Sequence, residues 1–241
     1  LSANENRRKL AGRVMKSVAS NTGKYQGLGM TSDRTRARMV EALRARGVKN
    51  EAVLAAMGAV PRHVFVDEAL QERAYEVNNA LPIGQGQTIS TAEIVAIMTE
   101  LLFENGPRNK VLEIGTGCGY QTAVLSRMTK EVFTVERIAA LMDGARRVLR
   151  NLRVINVIFK HADGHFGYAD AAPYDGIIMT AAATHVPEEL KAQLAVGGRM
   201  VLPVGRDANS QQLMVIDKTE SGFAQRVVHD VRFVPLLGGV V

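Results

Sequence analysis

The chain has 241 residues, of which 46% are hydrophobic, enough for one sizeable core but not for several large domains. Its single cysteine, Cys118, excludes a disulfide framework and favours a reducing compartment, so we expect a cytoplasmic protein. No stretch approaches the roughly 18 apolar residues that a membrane span needs, and we expect no membrane partner.

The net charge of +6 is concentrated at the amino-terminal end of the chain. Residues 1–50 hold 12 Lys and Arg against 3 Asp and Glu, whereas residues 51–241 hold 18 against 21. A nucleic-acid substrate would favour a uniformly basic groove, but this excess lies away from the motifs described below. We therefore expect no nucleic-acid partner and interpret residues 1–31 as a flexible basic arm, with at most a short helix around 8–18.

Segment 32–90 is predicted to be an amino-terminal helical subdomain that ends in a loop. Ser32 or Asp33 can cap a first helix, which Gly47 stops. Further helical segments are predicted over 50–57 and 61–75. Residues 77–90 contain proline, glycines and amide side chains without a period, which predicts a loop.

From residue 91 onward, predicted helices and strands alternate, which is typical of βαβ units. Helices are expected at 91–103, 120–128, 138–149 and 187–194, and strands at 110–114, 131–135, 154–160, 174–180 and 199–204. Two later apolar runs, 212–217 and 226–234, predict an antiparallel pair at the sheet edge. The predicted fold class is α/β: a Rossmann-like, mostly parallel sheet with antiparallel edge strands. Residues 91–241 would bind a cofactor, 32–241 would form one compact domain, and we expect a monomer.

A glycine-rich turn joins predicted strand 110–114 to the next helix, the place where a nucleotide-like ligand meets a helix N-terminus. Its glycines stand at alternate positions: Gly115, Gly117 and Gly119. The dinucleotide fingerprint G-x-G-x-x-G fails, because Tyr120 or Thr122 stands where its third glycine belongs. A nicotinamide oxidoreductase is therefore disfavoured. The turn resembles the first motif of class I S-adenosylmethionine-dependent methyltransferases.

Two acidic residues after later strands support this resemblance. Glu136 lies 21 positions after Gly115, near the roughly 20 expected for a carboxylate that binds a ribose diol. Asp163 and Gly164 resemble the step by which this class contacts adenine. The resemblance implies S-adenosyl-L-methionine as cofactor, S-adenosyl-L-homocysteine as product, and no metal. Each piece alone could instead be a plain turn or a surface charge.

Segment 81–90, Leu-Pro-Ile-Gly-Gln-Gly-Gln-Thr-Ile-Ser, closely resembles the loop of the protein-L-isoaspartate O-methyltransferase family. The resemblance covers about 32–236, with further matching segments at 60–66, 113–117, 172–175, 180–182, 203–205 and 231–236. It implies methyl transfer to the free carboxyl of isoaspartyl residues in damaged proteins, with acceptance of D-aspartyl residues left open. The methyl ester would then collapse to a succinimide, which initiates repair.

The resemblance also implies roles for individual residues. Ser90 maps onto the family's catalytic position. The expected cofactor contacts are Gln87, Thr88, Ile89, Glu113, Gly115, Gly117, Gly119, Glu136, Asp163, Gly164 and Thr180. The expected substrate contacts are Ile83, Gly84, Gln85, Gly86, Ala181, Val234 and Leu236.

The chemistry of this reaction predicts that Ser90 orients the substrate and does not act as a nucleophile. An isoaspartyl carboxyl with a pKa of about 3.5 to 4 is ionised at neutral pH and needs no general base to attack a sulfonium methyl. Neutral donors on a glycine-rich loop suffice to align and partly desolvate it. The simpler interpretation is that Ser90 or Thr91 only caps the following helix.

Three further side chains allow more than one interpretation. His161 and His165 are four apart and could bind a metal, although no third ligand is evident. Cys118 lies near a helix N-terminus, which would lower its pKa, but a small filling residue is the favoured interpretation. Rival functions for the whole chain are a methyltransferase that acts on RNA through the basic arm, and a non-enzymatic protein that only binds the cofactor.

Overall fold

The structure is a computed structural model that describes residues 27–207 and 209–241. The helix expected around 8–18, and most of the expected arm, lie outside these residues. The described chain begins with α1 (Asp33–Ala45) and α2 (Glu51–Ala59). The Ser32 hydroxyl caps α1 by accepting from a backbone N–H at 3.3 Å, and the Asn50 side chain caps α2. The first two predicted helices are confirmed to within two residues at each end.

The prediction of one helical segment over 61–75 is wrong. The chain forms two short 3₁₀ helices instead, Arg62–Phe65 and Glu68–Arg73. Val66 between them is extended, with φ −124° and ψ 162°, and Asp67 caps the second helix through the backbone N–H of Ala69 at 3.1 Å. A capping side chain in the middle of the run stops one helical turn and starts the next.

The loop expected over 77–90 is corrected in part, because it contains an antiparallel hairpin. Its strands are β1 (Leu81–Gly84) and β2 (Gln87–Ile89). The turn between them has Gln85 at φ 54° and Gly86 at φ 67°, the left-handed pair that a two-residue hairpin requires. Such short strands, one of them containing proline, show no alternating pattern, which is why the sequence predicts a loop.

The remaining described strands form one seven-stranded sheet in the order β5-β4-β3-β6-β7-β8-β9. They are β3 (Lys110–Ile114), β4 (Glu131–Glu136), β5 (Val157–His161), β6 (Tyr174–Met179), β7 (Leu194–Val204), β8 (Gln212–Thr219) and β9 (Gly222–Asp230). Pairs from β5 to β7 are parallel, and β8 and β9 run antiparallel at one edge. The predicted fold class is confirmed. The order reverses between β3 and β6, so a crevice opens at the carboxyl ends of these two strands.

The helices that follow the hairpin lie where the alternating pattern places them. They are α3 (Ala92–Phe103), α4 (Tyr120–Ser126), α5 (Ala139–Asn151) and α6 (Glu188–Ala192). The main differences are in strand bounds: β5 begins three residues later than expected, and β7 begins at Leu194 and includes the glycines expected to form a turn before it. The last strand, expected at 226–234, lies at Gly222–Asp230, because its pairing with β8 begins directly after a tight turn. A register irregularity between Tyr174 and Gly176 of β6 accommodates those glycines within the pairing.

The core lies on both faces of β3. Val111 packs in a cluster with Met98 and Leu102 of α3, whereas Leu112 and Ile114 pack on the opposite face. All these β3 side chains are fully buried, as expected for a central parallel strand. No helix within residues 27–207 and 209–241 is long and apolar enough to cross a membrane.

A buried arginine fastens the antiparallel edge to α3. Arg199 of β7 is 3% exposed and donates to both carboxylate oxygens of Asp217 at 2.7 and 2.9 Å. Its Nη1 donates to the carbonyl of Leu101 at 2.9 Å and to Glu104 at 2.6 Å. Arg226 of β9 also donates to Glu104, but its side chain is 45% exposed. The buried guanidinium therefore joins α3, β7 and β8.

We expect Arg199→Met to lower the free energy of unfolding by about 2–3 kcal/mol, because several charge-assisted hydrogen bonds are lost together. Arg226→Met is the matched control and should cost less than about 1 kcal/mol, since exposed ion pairs contribute little. Urea unfolding followed by circular dichroism measures both. Equal losses of unfolding free energy in the two variants would contradict the conclusion that the buried Arg199, and not the exposed Arg226, fastens the sheet edge to α3.

Candidate active site

The turn between β3 and α4 approaches the end of β6 more closely than any side chain would permit. Gly115 has φ +93°, and a Cβ built on it would lie 2.4 Å from Oγ1 of Thr180. That hydroxyl donates to the carbonyl of Gly115 at 2.6 Å. Gly119, at the start of α4, packs against α5, where its Cβ would lie 3.1 Å from Cβ of Ala145. The glycine turn is thus held tightly at the sheet's switch point.

Glu136 fixes the same turn from the end of β4. Its Oε2 accepts from the backbone N–H of Gly117 at 2.8 Å, and its Oε1 accepts from that of Ile138 at 3.0 Å. The residue is 6% exposed and lines the cleft beside the turn. Each carboxylate oxygen retains a free lone pair, so the group can still accept hydrogen bonds from a ligand.

The main cleft opens between the glycine turn, the hairpin and the carboxyl-terminal segment. The space within it, counted together with its open mouth, is about 600 Å³. It brings together these predicted site residues: Ile83, Gln87, Thr88, Gly115, Gly117, Glu136, Gly164, Thr180, Ala181, Val234 and Leu236. Its further lining residues, which the sequence analysis missed, are Ile114, Val135, Arg137, Ile138, Leu141, Pro235 and Leu237.

A smaller cleft of about 440 Å³ lies on the other side of the turn and contains Ser90 and Ile89. It shares four lining residues with the main cleft: Thr88, Gly115, Gly117 and Thr180. Gly84, Gln85 and Gly86, expected at the substrate site, form the exposed hairpin tip and line neither cleft. Gly119, Glu113 and Asp163 also lie outside both linings. Their predicted contacts with ligands stay predictions.

Ser90 is free of the capping role that its position allows. The hydroxyl of Thr91 caps α3 by accepting from the backbone N–H of Ile94 at 3.1 Å. The carbonyl of Ser90 accepts from the guanidinium of Arg62 at 2.6 Å. Within the described residues the Ser90 hydroxyl has no hydrogen-bond partner, so it is available to a ligand in the smaller cleft.

Asp163 lies at the far side of the main cleft, under the carboxyl-terminal segment. Its Oδ1 accepts from the backbone N–H of His165 at 2.9 Å and lies 2.8 Å from the His165 ring, and its Oδ2 accepts from the N–H of Gly239 at 2.6 Å. Partial burial alone would raise the pKa of Asp163, but these hydrogen bonds outweigh it and hold the pKa below its usual range. The adjoining Gly164 lines the cleft itself.

The carboxyl-terminal segment 234–241 closes one side of the main cleft. Its backbone pairs with Ala182, where the N–H of Leu236 donates at 2.8 Å. Val241 exchanges backbone bonds of 2.8 Å with Arg137 and Ala139, directly after Glu136. The resemblance already predicts site contacts for Val234 and Leu236, whereas residues 237–241 are only a short apolar end with two glycines, and no local signal predicts that they join the wall of the site.

Glu113 lies behind the turn, fully buried. Its Oε2 accepts from the hydroxyls of Thr122 at 2.5 Å and Thr134 at 2.6 Å, while Oε1 has no partner within the described residues. Burial raises the pKa of Glu113 to about 8, despite the two hydroxyl donors. The side chain is therefore mostly protonated at neutral pH and supports the turn from below.

The structure argues against a reactive cysteine at position 118 and against a metal site at His161 and His165. Burial raises the pKa of Cys118 to about 11, so the expected lowering by the helix N-terminus is wrong and the thiol acts as a filling residue. His161 Nε2 lies 3.0 Å from the carbonyl of Arg137, and His165 pairs with Asp163. The described part of the chain contains no group of three or more side chains that could hold a metal ion.

Comparisons with known proteins find similar proteins of one family. The family model "Protein-L-isoaspartate(D-aspartate) O-methyltransferase (PCMT)" matches residues 34–240. The chain is 60% identical over 215 residues to the protein-L-isoaspartate O-methyltransferase of Methylobacillus flagellatus, covering 88% of this chain and 96% of the relative. The Pseudomonas aeruginosa protein of the same name is 55% identical over 212 residues, 88% of this chain and all of the relative.

Solved structures are similar as well. A structure named protein-L-isoaspartate O-methyltransferase has a TM-score of 0.75 at 27% identity, covering 84% of this chain and 66% of that one. A Plasmodium falciparum structure in complex with S-adenosyl-L-homocysteine has a TM-score of 0.73 at 24% identity, covering 84% of this chain and 98% of that one, and shows the shared fold.

We expect Gly115→Ala to weaken binding of the expected cofactor, S-adenosylmethionine, at least about tenfold. The added methyl would lie 2.4 Å from Oγ1 of Thr180 in a backbone conformation that alanine rarely adopts. Gly106→Ala is the control, because Gly106 also has positive φ, at +117°, but a Cβ there meets nothing within 4 Å. Calorimetric titration gives both dissociation constants. Equal weakening in both variants would show that backbone strain alone, and not the contact with Thr180, governs binding.

Glu113 should make the stability of the protein depend on pH. Burial raises its pKa to about 8, above the value of about 4.3 in the unfolded chain, so on raising the pH the unfolded chain loses this proton first. The contribution of Glu113 to the free energy of unfolding is complete below pH 4. It is lost as the pH rises to about 8, by up to about 1.4 kcal/mol per pH unit. Glu113→Gln keeps the shape but cannot ionise, so its free energy of unfolding should fall less over this interval. Urea unfolding at several pH values from 5 to 8 gives the free energy of unfolding of both proteins. An identical dependence of that free energy on pH in the wild type and in Glu113→Gln would refute this prediction.

Proposed function

Because the chain belongs to the protein-L-isoaspartate(D-aspartate) O-methyltransferase family, we propose that Ser90 orients the acceptor carboxylate while the main cleft holds the cofactor. The enzyme transfers a methyl group from S-adenosyl-L-methionine to the free carboxyl of isoaspartyl residues in damaged proteins. The observation that carries the role of Ser90 is its free hydroxyl at the smaller cleft, next to a threonine that already caps α3.

The residues of the main cleft fit the cofactor. The backbone of Gly115 and Gly117 and the carboxylate of Glu136 line the same cleft, so a nucleoside with an amino-acid tail would meet both there. Glu136 would accept from the ribose hydroxyls with the lone pairs that Gly117 and Ile138 leave free. When bound, S-adenosylmethionine supplies a sulfonium methyl that a carboxylate oxygen can attack directly.

The acceptor site requires no acid or base from the protein. An isoaspartyl carboxyl has a pKa of about 3.3 to 4 and is already a carboxylate at neutral pH. Among the described residues that line the smaller cleft, only Cys118 and Tyr120 can ionise, and burial raises their pKa values to about 11 and about 12. Both are neutral at pH 7, so the site acts by alignment and not by proton transfer.

Alignment can supply much of the rate enhancement. The attacking carboxylate and the sulfonium neutralise each other as the bond forms, so a cleft with few charges favours the reaction over water. The Ser90 hydroxyl would donate to the carboxylate oxygen that does not attack. Thr88, which lines both clefts, would lie between the methyl donor and the acceptor.

A wider groove continues from Ser90 between α3 and the chain after β9, and the acceptor peptide would lie there. Its lining includes Ile94, Ile97, Val231 and Phe233.

We expect Ser90→Ala to reduce kcat for an isoaspartyl peptide by about 10- to 100-fold, because the acceptor loses its orienting donor. Cofactor affinity should stay within about twofold. The measurement is transfer of labelled methyl to paired peptides that differ only in isoaspartyl or normal aspartyl linkage, with label expected on the isoaspartyl peptide alone.

Two controls separate orientation from stability. Ser126→Ala removes a serine hydroxyl that donates to the carbonyl of Ala123, away from both clefts, and should leave kcat unchanged. Thr91→Ala removes the cap of α3 and should lower the free energy of unfolding by about 1 kcal/mol, whereas Ser90→Ala should change it by less than about 0.5. Undiminished kcat in Ser90→Ala would overturn the proposed role.

A further inference from the structure

Arg62 is the one described arginine that is wholly buried and touches the chain at the proposed catalytic position. It is 0% exposed, and no acidic side chain among the described residues pairs with it. Its Nε donates to the carbonyl of Ala74 at 2.8 Å and its Nη2 to the carbonyl of Ser90 at 2.6 Å. Its guanidinium carbon lies 4.6 Å from the ring centroid of Tyr120, and Nη1 has no partner among the residues that the structure describes.

This arrangement of Arg62 lowers the stability of the fold. Burial lowers the pKa of the Arg62 guanidinium, although arginine stays protonated in proteins. A buried charge without a counter-ion, and with an unpaired nitrogen, destabilises the fold relative to an apolar side chain of similar size. Packing alone is therefore a poor explanation for a guanidinium at this place, whereas two fixed donors in a rigid fork explain it well.

The guanidinium joins three segments that meet only in the folded chain. Ala74 ends the second 3₁₀ helix, Ser90 ends the hairpin before α3, and Tyr120 is the first residue of α4, directly after the glycine turn. The bond to Ser90 is short and charge-assisted, so it fixes the peptide plane that follows Ser90 Cα. Fixing that plane sets the direction in which the Ser90 hydroxyl leaves the backbone.

We infer that Arg62 is a positioning residue for methyl transfer: it holds the Ser90 backbone in register with the glycine turn, so that the Ser90 hydroxyl meets the acceptor carboxylate. This inference rests on the proposed orienting role of Ser90. Arg62 does not line either cleft, so it acts through Ser90 and not by contact with the substrate.

Arg108 provides a matched control within the same chain. It is also buried, at 7% exposed, and its guanidinium also donates to two backbone carbonyls, those of Leu102 at 3.1 Å and Gly197 at 2.8 Å. One of its nitrogens, Nη2, likewise has no partner within the described chain. Arg108 lies just before β3, at the end of the sheet opposite the clefts. Its replacement therefore changes stability in the same way as that of Arg62, without touching the site.

The experiment compares Arg62→Met, Arg62→Lys and Arg108→Met by kcat and KM for an isoaspartyl peptide, by S-adenosylmethionine affinity and by thermal unfolding. We expect kcat to fall in Arg62→Met by about the factor that Ser90→Ala costs, roughly 10- to 100-fold, and by a smaller factor in Arg62→Lys, because lysine reaches one carbonyl instead of two. Cofactor affinity should stay within about threefold. Arg108→Met should change the thermal stability by an amount similar to that in Arg62→Met, and should keep kcat within about twofold of the wild type.

A double-mutant cycle identifies the route of the effect. Ser90→Ala should cost its full factor in the wild type and in Arg108→Met. It should cost less than about threefold in the Arg62→Met background and clearly less than its full factor in the Arg62→Lys background, because a hydroxyl that is already misplaced contributes less to kcat. The inference is overturned by wild-type kcat in both Arg62 variants, by an equal loss in Arg108→Met, or by a full Ser90→Ala cost in the Arg62 variants. If Arg62→Met does not fold, Arg62→Lys carries the comparison.

The cycle also separates failure of this inference from failure of the proposed function. Unchanged kcat in Ser90→Ala alone would overturn the role of the Ser90 hydroxyl, and with it the route proposed for Arg62. A loss in Ser90→Ala together with wild-type kcat in the Arg62 variants would leave the Ser90 role intact and reject only the positioning by Arg62.

Discussion

The site depends on how closely the turn after β3 approaches the end of β6. With 2.4 Å between a Cβ at Gly115 and the hydroxyl of Thr180, the two strand ends can meet only if position 115 has no side chain. The Thr180 hydroxyl bonds the turn's own carbonyl, and the Glu136 carboxylate bonds the N–H of Gly117, so the turn is held from two neighbouring strands. Both clefts are bounded by this turn, and both take their shape from it.

Buried polar groups around the turn extend the same constraint. Glu113 below it accepts from two threonine hydroxyls, and Arg62 beside it donates to two backbone carbonyls, yet each retains an atom without a partner in the described part of the chain. Buried polar atoms without a partner reduce the stability of a fold by a few kcal/mol. Proteins retain them where a fixed local geometry matters more than that loss of folding free energy. Their position around the turn and Ser90 indicates that rigidity is the property this region is built to provide.

The chemistry needs little beyond that rigidity. A carboxylate and a sulfonium react once they are aligned and partly shielded from water, and the smaller cleft contains no side chain that titrates near neutral pH among those described. The carboxyl-terminal segment, tied to Arg137, Ala139 and Asp163, completes the wall of the main cleft. In the proposed mechanism, alignment by backbone and neutral donors replaces the acid-base pair that many transferases use.

The sequence by itself determined the fold class, the family and the candidate site residues that follow the carboxyl ends of strands. Glycines at 115, 117 and 119, Glu136, and the segment ending in Ser90 are local patterns, and the hydrophobic alternation around them is set by the neighbouring residues alone. Only the tertiary structure decided that Thr91 and not Ser90 caps α3, that 81–89 pair as a hairpin, and that the last residues close the cleft. It also showed that Arg62 is buried, against the usual exposure of arginine. The closed cleft and the buried Arg62 depend on contacts between residues far apart in the chain, and such contacts leave no periodic trace in the sequence. The cap and the hairpin are local, but they involve too few residues to form a recognisable pattern.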